Sequence, residues 1–539
     1  MIIFITGGVM SSLGKGIAAA TLGALLRARS FKVRLRKFDP YLNVDTGTMN
    51  PYQHGEVFVT EDGTETDLDL GHYERFTGVN AKKEDSITTG KLYLNVLERE
   101  RRGDYLGQTI QIVPHITNEI KSKILEGRDE VDFLICEIGG TVGDMEGLAF
   151  LEAIRQLRHE LGAKQTLFMH LGWVPTFDVI GEVKTKPMQH SVKELQRSGI
   201  QPDLLVCRCD QPMSLEIRKK ISLFCNVDQT KVIEACNVDS IYETPLTYHE
   251  AGLDTAVCDY FNLAAPAPDL SSWQHLNKGM KHPKGTVCIG IIGKYRLPDA
   301  YRSVLDSLSH GGLPSQTKVE YVLMDGRDLE EQDDDAIRST LSSFHGILVP
   351  GGFGKGGSEG KIKAIGFARE NNVPFLGICF GLQLAVIEGL RHLGNLPLAS
   401  SSEFGDTPDP AIALLMEWGS EDMKHTFQEA MGGTMRLGAY ECTLKTGSFV
   451  AEIYGEKNIS ERHRHRYEVN NQYIPQLEAA GFTISGTHKG LVECIERRAH
   501  PWFVGTQFHP EFSSRPLSPH PLFASFIAAA ARYRDGACS

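Results

Sequence analysis

A glycine-rich stretch with one lysine, GGVMSSLGKG at residues 7–16, follows an apolar run and opens an Ala- and Leu-rich one. Glycines let backbone N–H groups approach phosphate oxygens, a helix start favours the anion, and Lys15 adds a mobile positive charge. The spelling departs twice from the usual nucleotide-phosphate loop. Gly8 and Gly14 stand one residue further apart, and Gly16 replaces the Ser or Thr whose hydroxyl would hold Mg²⁺. A metal here would need carboxylates from elsewhere in the chain. Asp69 in TETDLDLGHYERF and Glu137 at the end of an apolar run are the candidates, with Lys37 as a second phosphate contact. Taken singly, each reads more readily as a turn residue, a strand-end acid or a solvated lysine.

A second stretch, PFLGICFGLQLAVIEG, sets Cys379 between glycines where an apolar run meets an amphipathic one. A sharp strand-to-helix turn of this kind exposes a nucleophile beside helix-end N–H groups that favour a thiolate. In TQFHPEF, His509 and Glu511 alternate after another apolar run, as a base and its orienting carboxylate would. VPGGFG offers the backbone N–H groups of Gly351 and Gly352 as an oxyanion hole. A loop histidine, a surface acid and a tight turn would explain each alone; their joint presence in one half of the chain favours chemistry.

The elements that must position these residues follow from the apolar pattern. IIFIT, DFLICEIGG, TLFMHLGWVP and DLLVCRCD alternate with helix-like stretches, and after residue 285 TVCIGIIGKY, GILVPGGFG, PFLGICFG and FVGTQFHPEF repeat the theme. The pattern predicts an α/β protein of two domains, each a mostly parallel sheet flanked by helices, with sites beyond the carboxyl ends of the strands. The boundaries expected are 1–265, a Pro-, Ser-, Gly- and Lys-rich linker at 266–285, and 286–539. A chain of 539 residues has room for such cores. Its eleven scattered cysteines, with Cys207 and Cys209 alternating along one strand rather than clipping a metal, fit a reducing, cytoplasmic setting. The formal charge of −12 argues against nucleic acid, and no apolar run is long enough for a membrane. The first residues read as a strand rather than a signal peptide.

Longer motifs extend the reading. The stretches GGVMSSLGKG, DPYLNVDTGTMNPYQHGEVFVTEDGTETDLDLGHYERF, ERRGDYLGQTIQIVPHIT, EIGGTVGD, GEVKTKPMQHSVKEL and FCNV resemble the synthase half of the CTP synthase family. VPGGFG, LGICFG, GGTMRLG, RHRHRYEVNN and QFHPEF resemble its class I glutaminase half. The resemblance implies ATP-dependent amination of UTP to CTP, with ammonia released from glutamine and a phosphorylated UTP intermediate. It implies that Ser12, Leu13, Gly14, Lys15, Gly16, Ile17, Lys37 and Asp69 hold ATP, with Cys236, Asn237 and Val238 at the adenine. Asp69 and Glu137 would bind Mg²⁺, so the loop takes its metal ligands from other strands. Ser11, Asp144, Met145, Glu146, Lys184, Thr185, Lys186, Pro187, Met188, Gln189 and Lys220 would form the UTP or CTP site. Without the family, KTKPMQ would read as an exposed basic turn. Gly352, Phe380, Gly381, Leu382, Gln383, Glu403 and Arg466 would position glutamine for attack by Cys379, with His509 shuttling the proton and Glu511 orienting it.

The same resemblance implies GTP as activator, CTP as inhibitor and a homotetramer. One motif departs from the pattern. The family reads GGFG, any residue, then Arg-Gly, whereas GGFGKGGSEG carries Gly356 at the arginine position, beside Lys355. Two other classes remain open on sequence: a P-loop amidotransferase acting on tetrapyrrole carboxylates, and a catalytically silent, filament-forming or nucleotide-sensing protein. The first has no need of KTKPMQHSVKEL; the second has no need of Cys379, His509, Glu511, Asp69 and Glu137 together.

Overall fold

The computed structural model describes residues 1–177, 182–419 and 435–536. Gly181 of GEVKTKPMQHSVKEL and residues 432–434 of GGTMRLG lie outside the described residues. The chain forms two compact units, Met1–Thr48 with Thr66–Asn277, and Met49–Glu65 with Lys278–Ser539.

In the first unit, runs of β-branched and aromatic residues form a seven-stranded sheet. Its strands are β1 (Ile2–Gly7), β2 (Val33–Asp39), β3 (Ser86–Thr88), β4 (Phe133–Ile138), β5 (Thr166–Val174), β6 (Leu204–Cys209) and β7 (Val232–Cys236). Their order is β7-β6-β5-β1-β4-β2-β3, with every pairing parallel. Parallel strands buried on both faces read as near-continuous apolar runs, and β1 and β4 are buried at every position. Helices α1 (Lys15–Ala28), α2 (Asp69–Thr77) and α3 (Lys186–Arg197) each begin where a loop leaves the carboxyl edge of this sheet. The stretch expected as a linker at 266–285 includes a helix, α4 (Ser271–Lys281), because Trp273 and Leu276 share one face. Trp273 packs against Phe76 and Tyr242.

The second unit carries a nine-stranded sheet. Its strands are β8 (Gly285–Gly293), β9 (Thr317–Asp325), β10 (Gly346–Val349), β11 (Phe375–Ile378), β12 (Arg436–Leu444), β13 (Asn458–His465), β14 (Thr483–His488), β15 (Leu491–Glu496) and β16 (Phe503–Thr506). The order is β9-β8-β10-β11-β16-β15-β14-β12-β13. Pairing is parallel as far as β16 and antiparallel beyond it, so this sheet is less uniformly parallel than its sequence suggests. The cause is local. Lys489 and Gly490, with φ of 47° and 84°, turn β14 straight back into β15 as a two-residue hairpin. Helix α5 (Phe380–His392) is buried from Phe380 through Leu390 and springs directly from the end of β11.

Residues 49–65 cluster with this second unit, where a boundary at 265 would leave them with the first. Specific polar contacts hold them there. The Arg462 guanidinium donates to Val59 O at 2.9 Å, Arg464 Nε meets Glu65 Oε1 at 2.7 Å, and Ala439 N donates to Glu61 O at 2.8 Å.

Candidate functional site

The phosphate-loop region of the first unit gathers opposite charges at the carboxyl edge of the sheet. Gly14, with φ 100°, precedes α1, whose first turn carries no acidic residue to offset an incoming anion. Lys15 Nζ donates to Gly140 O at 2.7 Å. Lys37 lies opposite Glu137 across β2 and β4. It is buried rather than a solvated surface lysine, and pairs with Asp69, with Asp39 at 3.3 Å, Asp67 at 3.8 Å and Glu137 at 4.0 Å. Tyr73 on α2 donates to the other Glu137 oxygen. Burial, aided by neighbouring carboxylates and against the pull of Lys37, pushes Asp67 up to about 8 and Glu137 up to about 7. Asp69 stays below the usual carboxylate range because Lys37 outweighs its burial. Four carboxyl groups crowd Lys37, with Lys15 close by, and the protons that burial favours on Asp67 and Glu137 are what a bound cation would displace.

The missing Ser or Thr now has a steric explanation. A Cβ on residue 16 would lie 2.1 Å from Asp69 Oδ1. The carboxylate from α2 fills the place that the usual hydroxyl side chain would take, so a side chain at residue 16 would have to displace it. Among the described residues no three carboxylate, histidine or cysteine side chains form a ready-made metal cage. A cation that also binds phosphate oxygens needs only one or two protein carboxylates.

The remaining nucleotide candidates divide by exposure. Ser11 and Ser12 lie exposed on the loop, Leu13 is buried beneath it, and Ile17 lies one step inside α1. Met145, at 81% exposed, and Glu146 face solvent, while Asp144 accepts from Thr141 N at 3.2 Å. KTKPMQ is not an exposed turn. Lys186 and Pro187 open α3, Met188 is wholly buried, and Gln189 donates to Thr185 Oγ1 at 2.9 Å. The solvent-facing charges of this group are Lys184, paired with Glu182, together with Lys186 and Lys220. At the end of β7, Asn237 donates to Asp210 at 3.0 Å; the adjoining Val238 is half-buried. Cys209 and Cys236 stand opposite each other in register, their sulfurs 3.3 Å apart.

Sequence reasoning missed several supports. Arg208 donates to Cys236 O at 3.4 Å and to Asn237 Oδ1 at 2.9 Å, and its Nε lies 4.0 Å from where a Gly14 Cβ would stand. It thus braces the Cys236–Asn237 turn beside the phosphate loop, from a strand whose alternation gave no sign of it. Beneath the loop, His170 bridges Thr6 Oγ1 at 2.8 Å and Ser191 Oγ at 2.7 Å, tying β1 to α3. Burial pushes this histidine down to about 3, so it is a neutral strut.

The second unit places Cys379 at a strained turn. Its φ of 52° and ψ of −99° lie outside the regions side chains normally adopt. The surroundings impose the turn. Cβ atoms at Gly377 and Gly381 would lie 2.7 Å from the Gly381 carbonyl carbon and 2.2 Å from Val349 O. His509 Nδ1 meets Glu511 Oε1 at 2.8 Å, and Nε2 is buried with no hydrogen-bond partner among the described residues. Burial opposes charge on this imidazole, but Glu511 and the Cys379 sulfur outweigh it and raise it to about 10. Gly351 brings its backbone against His509, with a would-be Cβ 2.6 Å from the ring, while Gly352 borders Phe380. Glu403 accepts from Gly354 N at 2.8 Å and so anchors this loop; Arg466 is exposed. Leu382 packs in the core, and the Gln383 amide is engaged with Tyr467 O and Gln507. A buried nucleophile, an imidazole held by a carboxylate, and an adjoining glycine loop together suit acyl transfer.

Two family descriptions match the chain: CTP synthase N-terminus over residues 1–263, and glutamine amidotransferase class-I over residues 296–529. A CTP synthase of Hyphomonas neptunium is 56% identical over 98% of both chains. One of Paramagnetospirillum magneticum is 57% identical, again over 98% of both. Among solved structures, the Trypanosoma brucei CTPS glutaminase domain with bound acivicin is 36% identical, with a TM-score of 0.42, covering 46% of this chain and 94% of that one. With both halves matched along nearly the whole length, the chain belongs to the CTP synthase family.

Proposed function

We propose that this protein is a ligase that converts UTP to CTP, using ATP and the amide nitrogen of glutamine. The observation that carries the reading is the Asp69 carboxylate filling the place of the loop hydroxyl at Gly16, in a chain that also holds Cys379 beside His509 and Glu511.

In the second unit, Cys379 Sγ attacks the glutamine amide carbon, and the oxyanion faces the backbone N–H groups of Gly351 and Gly352. His509 Nε2 hands its proton to the departing ammonia, and water then releases glutamate from the thioester with the imidazole again moving the proton. Gly352, Phe380, Gly381, Glu403 and Arg466 border the glutamine, while Leu382 and Gln383 shape the pocket from behind.

In the first unit, the C4 oxygen of uracil is a poor leaving group until it accepts the γ-phosphoryl group of ATP. Ammonia then adds at C4 and phosphate departs. Lys15 and Lys37 offset charge on the transferring group. Residues 11–17, with Cys236, Asn237 and Val238, surround ATP; residues 144–146 and 184–189, with Lys220, surround UTP, Met188 acting only through packing. Asp69 and Glu137 would hold Mg²⁺, which when bound neutralises phosphate charge. The crowding that lifts Glu137 to about 7 supports that assignment.

Activation by GTP, inhibition by CTP, a homotetramer and a cytoplasmic setting belong to the same reading. Among the described residues no helix is long and apolar enough to cross a membrane. The test is chromatographic detection of CTP from UTP and ATP with either glutamine or ammonia. CTP from both donors is expected. Turnover of glutamine with no CTP from either would overturn the reading in favour of another amidotransferase, and inertness towards both would favour a silent assembly protein.

A further inference from the structure

Gln507 stands immediately before the turn that carries His509, and it is fully buried. Its backbone N–H donates to Glu493 O at 2.8 Å, leaving the side-chain amide to be explained. The orientation of that amide follows from its neighbours. Gln383 on α5 donates from Nε2 to the Tyr467 carbonyl at 2.9 Å, and a carbonyl only accepts. The same nitrogen meets the Gln507 side chain at 3.3 Å, so the Gln507 atom facing it must be the oxygen. Gln507 Nε2 is thereby turned towards Cys379, 3.7 Å from Sγ. The sulfur also faces the Arg464 carbonyl oxygen at 3.9 Å. A protonated thiol can donate to that carbonyl. A thiolate is repelled by it and needs a donor, which Gln507 supplies.

We propose that Gln507 is a positioning residue for glutamine hydrolysis: its side-chain N–H holds the Cys379 sulfur as a thiolate at the turn, and Gln383 braces the amide against flipping. This rests on Cys379 being the nucleophile. Ionisation moves the thiol proton to His509 Nε2, the ring nitrogen that does not engage Glu511, and the Glu511 carboxylate balances the imidazolium. The step needs no other reactant. A hydrogen bond to the charged form of an acid favours that form, and those made to charged groups are the stronger ones.

The experiment compares the full-length protein with Gln507→Glu, which keeps the shape but replaces the donor with an acceptor, and with Gln507→Met, which offers no hydrogen of this kind. Gln383→Leu releases the brace and is read by alkylation only, since Gln383 also shapes the glutamine pocket. Iodoacetamide inactivation is followed against pH, the modified peptide is mapped, and CTP formation is measured with glutamine and with ammonia. The midpoint for Cys379 alkylation should rise by about one pH unit in Gln507→Met, further in Gln507→Glu, and by less in Gln383→Leu. Glutamine-dependent kcat should fall about 10- to 100-fold in the Gln507 variants, with a smaller change in KM. Synthesis from ammonia reports whether each variant is folded. Identical alkylation midpoints in all four proteins would overturn the proposal even if glutamine turnover fell, since a purely structural role predicts that result. If alkylating Cys379 in the unaltered protein leaves glutamine-dependent synthesis intact, the nucleophile assignment itself fails, and Gln507 with it.

Discussion

The two sites of this chain are built on opposite principles. Around Lys37, carboxylates from β2, α2 and β4, together with the segment before α2, crowd one cation, and burial holds Asp67 and Glu137 far above their ordinary range. Around Cys379, a strained turn, the Gln507 amide on the sulfur and the His509–Glu511 pair are each fixed by buried contacts. The first arrangement crowds carboxyl groups whose charge burial suppresses, and on the proposed function a cation would draw that charge out. The second has its groups already placed, which the proposed function calls for, because a nucleophile and its base must be aligned when the substrate enters.

If the sites are separable, the sharpest break comes from the nucleophile. Cys379→Ala should lower glutamine-dependent CTP formation by about 10⁴-fold or more while sparing synthesis from added ammonia. Measuring both donors on one preparation checks it; equal loss with both would show that the two sites do not act independently. The mirror experiment removes charge from the first site. Asp69→Asn or Glu137→Gln should reduce synthesis from either donor by about 100-fold or more, with glutamine hydrolysis at least partly retained. Unchanged synthesis in both variants at ordinary Mg²⁺ would remove them as metal ligands.

A smaller change sharpens the contrast at Gly16. Gly16→Ser restores the usual phosphate-loop spelling, and a sequence argument would expect it to be harmless. The packing argues otherwise, because the new Cβ would displace the Asp69 carboxylate from a position 2.1 Å away. KM for ATP should rise by about 10-fold, with the glutaminase unaffected. Steady-state titration of ATP decides it, and an unaltered KM would show that Asp69 can move aside at no cost.

Legibility differed between the sites for the same reason that their construction differs. The cysteine turn, the His509–Glu511 alternation and the glycine loop are local patterns, and each is visible within a few residues of sequence. The charge cluster is non-local: Lys37, Asp69 and Glu137 meet only because β2 and β4 are paired and α2 folds back onto the edge. Asp39 and Asp67 belong to that cluster and carried no signal of their own. Gln507 was hidden in plain view within a recognised motif, since only the Tyr467 carbonyl reveals which way its amide points. Composition also misled in one place. Residues 266–285 look like a linker, yet two apolar side chains spaced for a helix suffice to dock Trp273 and Leu276.

The least effect is expected at the loop that departs from the family pattern. Gly356 is exposed, its backbone is not in the left-handed region, and a Cβ there would meet nothing among the described residues within 4 Å. Gly356→Arg is therefore compatible with the fold, and any change it causes reports new contacts rather than damage. An arginine presents a planar fork that pairs with phosphate or a base edge, whereas Lys355 offers a flexible point charge. If GTP stimulates glutamine hydrolysis through this loop, Gly356→Arg should lower the GTP concentration for half-maximal stimulation. An exposed ion pair is worth little, so the gain should be about 2- to 5-fold. Titrating GTP against glutamine-dependent CTP formation in both proteins measures it, with ammonia-dependent synthesis as the control. A native chain that responds at the same or lower GTP would show that the missing arginine does not limit activation, and the loop would then join the Cys379 site as a region with its groups already placed.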